Sequence, residues 1–160
     1  MRNIFVATKN KNIFEFYHIQ TDRISFKGDT NDLKQLNEFQ EVALKEIKET
    51  FKEKDVTLLH GITSSGKTEV YTKLIQDVLD EGKQVLFLLP EIALTTQIIT
   101  RLQVYFGKQI SVFHSKYSKK ERVEVWNNVL ENKQKAQIIL GARSSIFLPF
   151  SNLGLIVVDE

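Results

Sequence analysis

Two short stretches of this chain carry residue types suited to phosphate chemistry. Residues 61–68 read Gly-Ile-Thr-Ser-Ser-Gly-Lys-Thr and follow directly on the apolar run Val56-Thr57-Leu58-Leu59. Gly61 and Gly66 lack Cβ atoms, so the backbone can curl and turn successive N–H groups inward. A helix starting near Lys67 adds its positive N-terminal end. Gly-x-x-x-x-Gly-Lys-Thr between a strand and a helix is the pattern of a phosphate-binding loop. On this reading Gly61, Ile62, Thr63, Ser64, Ser65, Gly66, Lys67 and Thr68 cradle a nucleoside triphosphate such as ATP. Lys67 reaches the β- and γ-phosphates, and the Thr68 hydroxyl ligates Mg²⁺. The second stretch is Leu155-Ile156-Val157-Val158-Asp159-Glu160, an apolar strand ending in two carboxylates. Asp159 would hold Mg²⁺ and Glu160 would orient an attacking water. The candidate catalytic residues are therefore Lys67, Asp159 and Glu160. Taken without the loop, the acidic pair reads as a buried strand ending in solvated acids.

The elements that must position these residues follow from periodicity. Strands are predicted over 56–60, 85–89, 110–114, 137–140 and 155–158, and helices over 38–52, 67–80, 92–106 and 118–131. Val70, Leu74, Ile75, Val78 and Leu79 recur at helical spacing, and Gly82 ends that helix. Four strand–helix alternations imply an α/β fold with a parallel sheet and helices on both faces. Phosphate sites in such folds lie at the carboxyl ends of the strands, where the loop and Asp159 both fall. Residues 1–35 differ from the rest. Ile4-Phe5-Val6 and Ile13-Phe14-Glu15-Phe16-Tyr17 flank Lys9-Asn10-Lys11-Asn12, consistent with a hairpin or a short helix. The polar break Gly28-Asp29-Thr30-Asn31-Asp32 then reads as a linker. The expected division is a leading segment, 1–35, and a nucleotide-binding domain, 36–160.

Composition bounds the reading. The chain has 160 residues and is 42% hydrophobic, enough for one domain with a substantial core. A net charge of +2 neither demands nor excludes nucleic acid. Lys116, Lys119, Lys120 and Arg122 cluster, as do Lys133 and Lys135, and such runs are commonly a solvated helix face. The cysteine count is 0, so these residues offer neither a disulfide framework nor a thiolate zinc site. No apolar stretch of about 18 residues and no signal peptide is present, which makes the cytoplasm the expected location and a membrane partner unexpected.

Four further segments acquire meaning from their order. Leu36-Asn37-Glu38-Phe39-Gln40 precedes the loop. Pro90-Glu91-Ile92-Ala93-Leu94-Thr95-Thr96-Gln97 follows the second strand of the phosphate-binding domain, and His114-Ser115 ends the third. Gly141-Ala142-Arg143-Ser144-Ser145-Ile146-Phe147 follows the fourth. Together they resemble the first, RecA-like motor lobe of a superfamily-two DNA helicase, and within that superfamily the primosomal, PriA-type replication-restart helicases. The likeness spans about residues 36–160.

The resemblance implies ATP-dependent, 3′-to-5′ unwinding of DNA, with ATP and Mg²⁺ as cofactors. It implies single-stranded and forked DNA and replication-restart proteins as partners. Thr95, Thr96, Gln97, Arg143 and Ser144 fall on segments that such motors lay along single-stranded DNA, and Gln40 on a glutamine resembling an adenine reader. Asp159 and Glu160 begin what resembles an Asp-Glu-Glu-His box. Read this way the chain is a first lobe truncated at its C-terminal end, a fragment expected to turn over ATP very slowly alone, and residues 1–35 fall where the resemblance implies the tail of a winged-helix region.

Local chemistry leaves alternatives open. Asn37 and Gln40 also fit a capping box. Thr95 and Thr96 fit a helix face, and Arg143 suits a carboxylate as well as a phosphate. His114 reads as a satisfied polar residue, and Trp126 and the phenylalanines as core. Two positions depart from the family pattern: Ser64 stands where glycine is frequent, which requires negative φ or some strain, and Ala142 stands where threonine is common. Two other functions share the loop. One is a nucleotide-independent module that docks DNA or a partner, and the other is a small-molecule kinase. The absence of an arginine-rich lid weighs against the kinase.

Overall fold

The structure is a computed structural model that describes residues 2–6, 32–62, 65–90, 96–114 and 117–159, with backbone alone at 2–6, 96 and 97. Among the described residues ten regular elements follow one another: β1 (Arg2–Val6), α1 (Glu38–Glu53), β2 (Val56–Leu58), α2 (Lys67–Asp80), β3 (Gln84–Leu88), α3 (Thr96–Phe106), β4 (Ile110–Phe113), α4 (Lys119–Leu130), β5 (Ile138–Gly141) and β6 (Leu153–Asp159). The six strands form one sheet in the order β2-β1-β6-β3-β5-β4, and every pairing is parallel. The α/β class and the predicted alternation are observed. For the expected helix 92–106, residues 91–95 lie outside the described residues, and 96–106 are helical.

The leading segment behaves differently from a hairpin. Residues 2–6 are a parallel strand paired on both sides, with Val56–Leu58 and with Leu155–Asp159. Residues 13–17 lie outside the described residues.

Side chains alternate across the inner strands, as a period of two requires. Val85, Phe87, Ile138, Leu140, Leu155 and Val157 face one way, onto Ile47 and Phe51 of α1, Tyr71, Leu74 and Ile75 of α2, and Leu102 and Phe106 of α3. Leu86 and Ile139 face the other way, onto Val125 and Val129 of α4. Helices thus cover both faces, and each fully buried Leu, Ile or Phe contributes about 1.5–3 kcal/mol. No helix of the described residues is long and apolar enough to cross a membrane.

The helix ends show why these segments stop where they do. Asn37 and Ser118 each form a reciprocal capping box, with Gln40 and Glu121. α2 and α4 close in the same manner. Gly82 (φ 70°) and Asn132 (φ 47°) take the left-handed conformation. The next residue's N–H, Lys83 or Lys133, then reaches back to Val78 O or Asn128 O. At the amino end of β3, the fully buried Gln84 side chain donates to Val129 O at 2.8 Å and accepts from the N–H groups of Ser151 and Asn152 at 3.1 Å. It ties α4 to the approach of β6.

Trp126 and several phenylalanines are not core. Phe51, Phe87 and Phe106 are buried, but Phe39 is 87% exposed, Phe147 78% and Trp126 45%. Trp126 sits one residue past Val125, about 100° around the helix from the buried stripe. Phe147 lies on a 3-10 turn (Arg143–Phe147) in which Ser145 and Leu148, three residues apart, are the inward positions. The basic clusters are solvated faces in part: Lys133 pairs with Glu131 and Lys135 with Glu124 at the surface, while Lys116 lies outside the described residues.

Candidate functional site

β2 leads through Gly61 and Ile62 into the loop, and α2 begins at Lys67. Thr63 and Ser64 lie outside the described residues, and so does the question of φ at Ser64. Gly66 is the N-cap of α2 in the left-handed conformation (φ 81°, ψ 26°), and no side chain caps the helix. That leaves first-turn N–H groups available to an anion. Space is as tight as conformation here. A Cβ on Gly66 would run into the Gln40 side-chain amide, and one on Gly61 would lie 2.7 Å from Ser65 Oγ.

Lys67 Nζ donates to Gly61 O at 2.8 Å and Ile62 O at 2.9 Å, so the ammonium spans the loop that it would share with a triphosphate. Glu69, one residue past Thr68, accepts from Arg101 Nη2 at 2.9 Å, while its other carboxylate oxygen is buried with no partner among the described residues.

Gln40 makes both contacts its sequence context suggested for a cap and adds a third. Its Oε1 accepts from Asn37 N–H at 2.9 Å, and its N–H donates to Asn37 Oδ1 at 3.0 Å. Its Nε2 donates to Gly66 O at 3.2 Å. The capping glutamine is therefore also a strut under the glycine-rich loop.

Asp159 ends β6, one strand removed from β2. Two inter-strand steps put these strands about 10 Å apart. Parallel pairing places the loop and Asp159 at the same edge of the sheet, the carboxyl edge. Burial pushes the Asp159 carboxyl above its ordinary value, and the positive charge of Lys67 opposes the shift. The two candidate residues are thus within electrostatic reach of each other. Glu160 lies outside the described residues.

The remaining candidates are spread along the same edge. Thr95 and the side chains of Thr96 and Gln97 lie outside the described residues, and Thr96 opens α3. Arg143 and Ser144 are exposed on the 3-10 turn after β5. His114, after β4, is buried beside Tyr117 at a ring distance of 6.5 Å. Sequence reasoning missed Tyr71. Its place four residues after Lys67, one helical turn on, was the available signal.

Mg²⁺ takes one or two carboxylates together with phosphate oxygens and water, not a cage of protein ligands. The described residues hold no group of three or more His, Cys, Asp or Glu side chains able to bind a metal. An acid and a hydroxyl, Asp159 and Thr68, fit that ion in company with a triphosphate.

Comparison with known proteins agrees with this arrangement. A family model described as DEAD/DEAH box helicase matches residues 37–160. The chain is 43% identical over 127 residues to the replication restart protein PriA of Bacillus subtilis (strain 168), covering 78% of this chain and 16% of that protein. It is 51% identical over 104 residues to that of Rickettsia felis, covering 65% and 16%. With that of Synechocystis sp. it shares 48% over 103 residues, covering 64% and 12%. The chain spans about a sixth or less of the length of these curated relatives. By the family match over most of its length, the chain belongs to the DEAD/DEAH box helicases, as a homologue of replication restart protein PriA.

Proposed function

We propose that this chain is the ATP-binding motor lobe of a DNA helicase that unwinds DNA 3′-to-5′ during replication restart in the cytoplasm. Residues 36–160 form the lobe in this reading, with 1–35 a leading segment that lends β1 to the sheet. The observation that most supports it is that the loop after β2 and Asp159 at the end of β6 lie at the same carboxyl edge of one parallel sheet, with a single strand between them.

Each residue then has a task. Lys67 leaves the Gly61 and Ile62 carbonyls to neutralise the β- and γ-phosphates. Thr68 and Asp159 hold Mg²⁺, which supplies charge neutralisation when bound, and Glu160 orients water. Gln40 reads the adenine while bracing Gly66. Thr95, Thr96, Gln97, Arg143 and Ser144 follow the DNA backbone. Forked and single-stranded DNA and replication-restart proteins are the partners.

Catalysis of this type is positioning plus charge neutralisation, and an arginine finger contributes about 10³–10⁵ in rate in related sites. The 160 residues alone are expected to bind ATP weakly and hydrolyse it very slowly. Titration calorimetry with ATP, with and without Mg²⁺, tests the site. Absence of Mg²⁺-dependent binding would overturn it, and robust DNA-stimulated hydrolysis by these residues alone would overturn the division of labour.

A further inference from the structure

Tyr71 is 1% exposed, and among the described residues its hydroxyl has no hydrogen-bond partner. Burying such a group unpaired is unfavourable, so an unpartnered hydroxyl in a core calls for a physical reason. Phenylalanine would fill the same space without that cost.

The surroundings supply the reason. Tyr71 lies one turn beyond Lys67 and Thr68 on the same face of α2. Its ring meets Phe87 edge-on, at 5.8 Å and 75°. Phe87 is in register with Val157 across β3 and β6, and both side chains belong to the core on the α2 side of the sheet. Asp159 is two residues past Val157 and so projects from that same side. Burial, and after it the Asp159 charge, hold the phenol proton on. A protonated phenol is a hydrogen-bond donor, and the carboxylate beside it is an acceptor.

We propose that Tyr71 is a positioning residue for Asp159: its hydroxyl donates to the carboxylate when Asp159 engages the magnesium–nucleotide. The inference rests on the functional reading above. One carboxylate oxygen faces the ion and the other is held by Tyr71, which fixes the orientation of the acid. In the free protein the hydroxyl waits without a partner, and the fold carries that cost for the sake of the liganded state.

The test is Tyr71→Phe in the chain as it stands, read by nucleotide affinity and thermal melting. Affinity for a fluorescent ATP analogue is measured in Mg²⁺ and in EDTA. The variant is expected to lose about tenfold in Mg²⁺-supported affinity, the scale of one hydrogen bond to a charged group, with affinity in EDTA unchanged. Without nucleotide it is expected to melt at or above the parent temperature. A melting point clearly below the parent's would show that the hydroxyl has a structural partner and overturn the proposal. An unchanged Mg²⁺ enhancement in the variant would overturn it while leaving the site intact. A parent chain with no Mg²⁺ enhancement would overturn both this inference and the functional reading.

Discussion

Gly66→Ala is the substitution whose cost is easiest to work out. At φ 81° an L-residue pays about 1–2 kcal/mol relative to glycine. The added Cβ also collides with the Gln40 amide, so Gln40 must withdraw and lose its 3.2 Å bond to Gly66 O. That bond is worth about 0.5–1.5 kcal/mol. The sum is about 1.5–3.5 kcal/mol, or a fall in melting temperature of about 3–14 °C for a domain of this size. Gln40→Ala removes the same bond and half of the capping box, at about 1–2 kcal/mol. Made in the Gln40→Ala background, Gly66→Ala meets no amide and no bond remains to break. Its cost should shrink to the backbone share, about 1–2 kcal/mol. Urea unfolding of the parent, both single variants and the double variant measures the cycle. Equal cost in both backgrounds would refute the collision with Gln40. A cost below about 0.5 kcal/mol in either would refute the conformational argument.

Lys67→Ala should abolish Mg²⁺-dependent ATP binding in calorimetry, and it should also destabilise the free chain by about 1–3 kcal/mol by removing two charge-assisted bonds to the loop. Unchanged binding would mean that the loop has been misassigned. Asp159→Asn should raise stability at neutral pH while weakening nucleotide binding. The folded-state pKa of Asp159 lies above its ordinary value, so the charged form is disfavoured in the fold. The wild-type penalty is full above the folded pKa and fades as pH falls through it, so the variant's advantage should shrink on acidification. Melting curves across that range check the sign. Gln84→Leu removes three buried hydrogen bonds, to Val129, Ser151 and Asn152, and should cost about 2–4 kcal/mol in chemical denaturation with little direct effect on nucleotide affinity.

The legible parts of this protein are those whose causes are local. Asn37 and Gln40 announce a helix start because the bonds that cap it join residues three apart. Gly82 announces a helix stop because its left-handed φ is intrinsic to glycine. The loop is readable because Gly-x-x-x-x-Gly-Lys-Thr is a short run of consecutive residues between a strand and a helix. The aromatic residues were less readable. Phe87 and Phe147 are one residue type, yet one packs under Tyr71 and the other is exposed beyond a 3-10 turn. The apolar run around Phe87 marks a strand, but what covers that strand, and what leaves Phe147 uncovered, depends on what arrives from elsewhere in the chain.

The sequence alone determined the strand–helix alternation, the glycine-rich loop between β2 and α2 and the acidic end of a buried strand, since periodicity and short-range hydrogen bonding decide all three. Only the tertiary structure decided the order of the strands. It slid β1 between the loop strand and the acid strand, gave Gln40 its bond to Gly66, and set the Tyr71 hydroxyl near Asp159 without a partner. Each of these joins segments far apart in the chain. Their juxtaposition follows from how the two faces of the sheet are covered, a property of the whole core that no local stretch encodes.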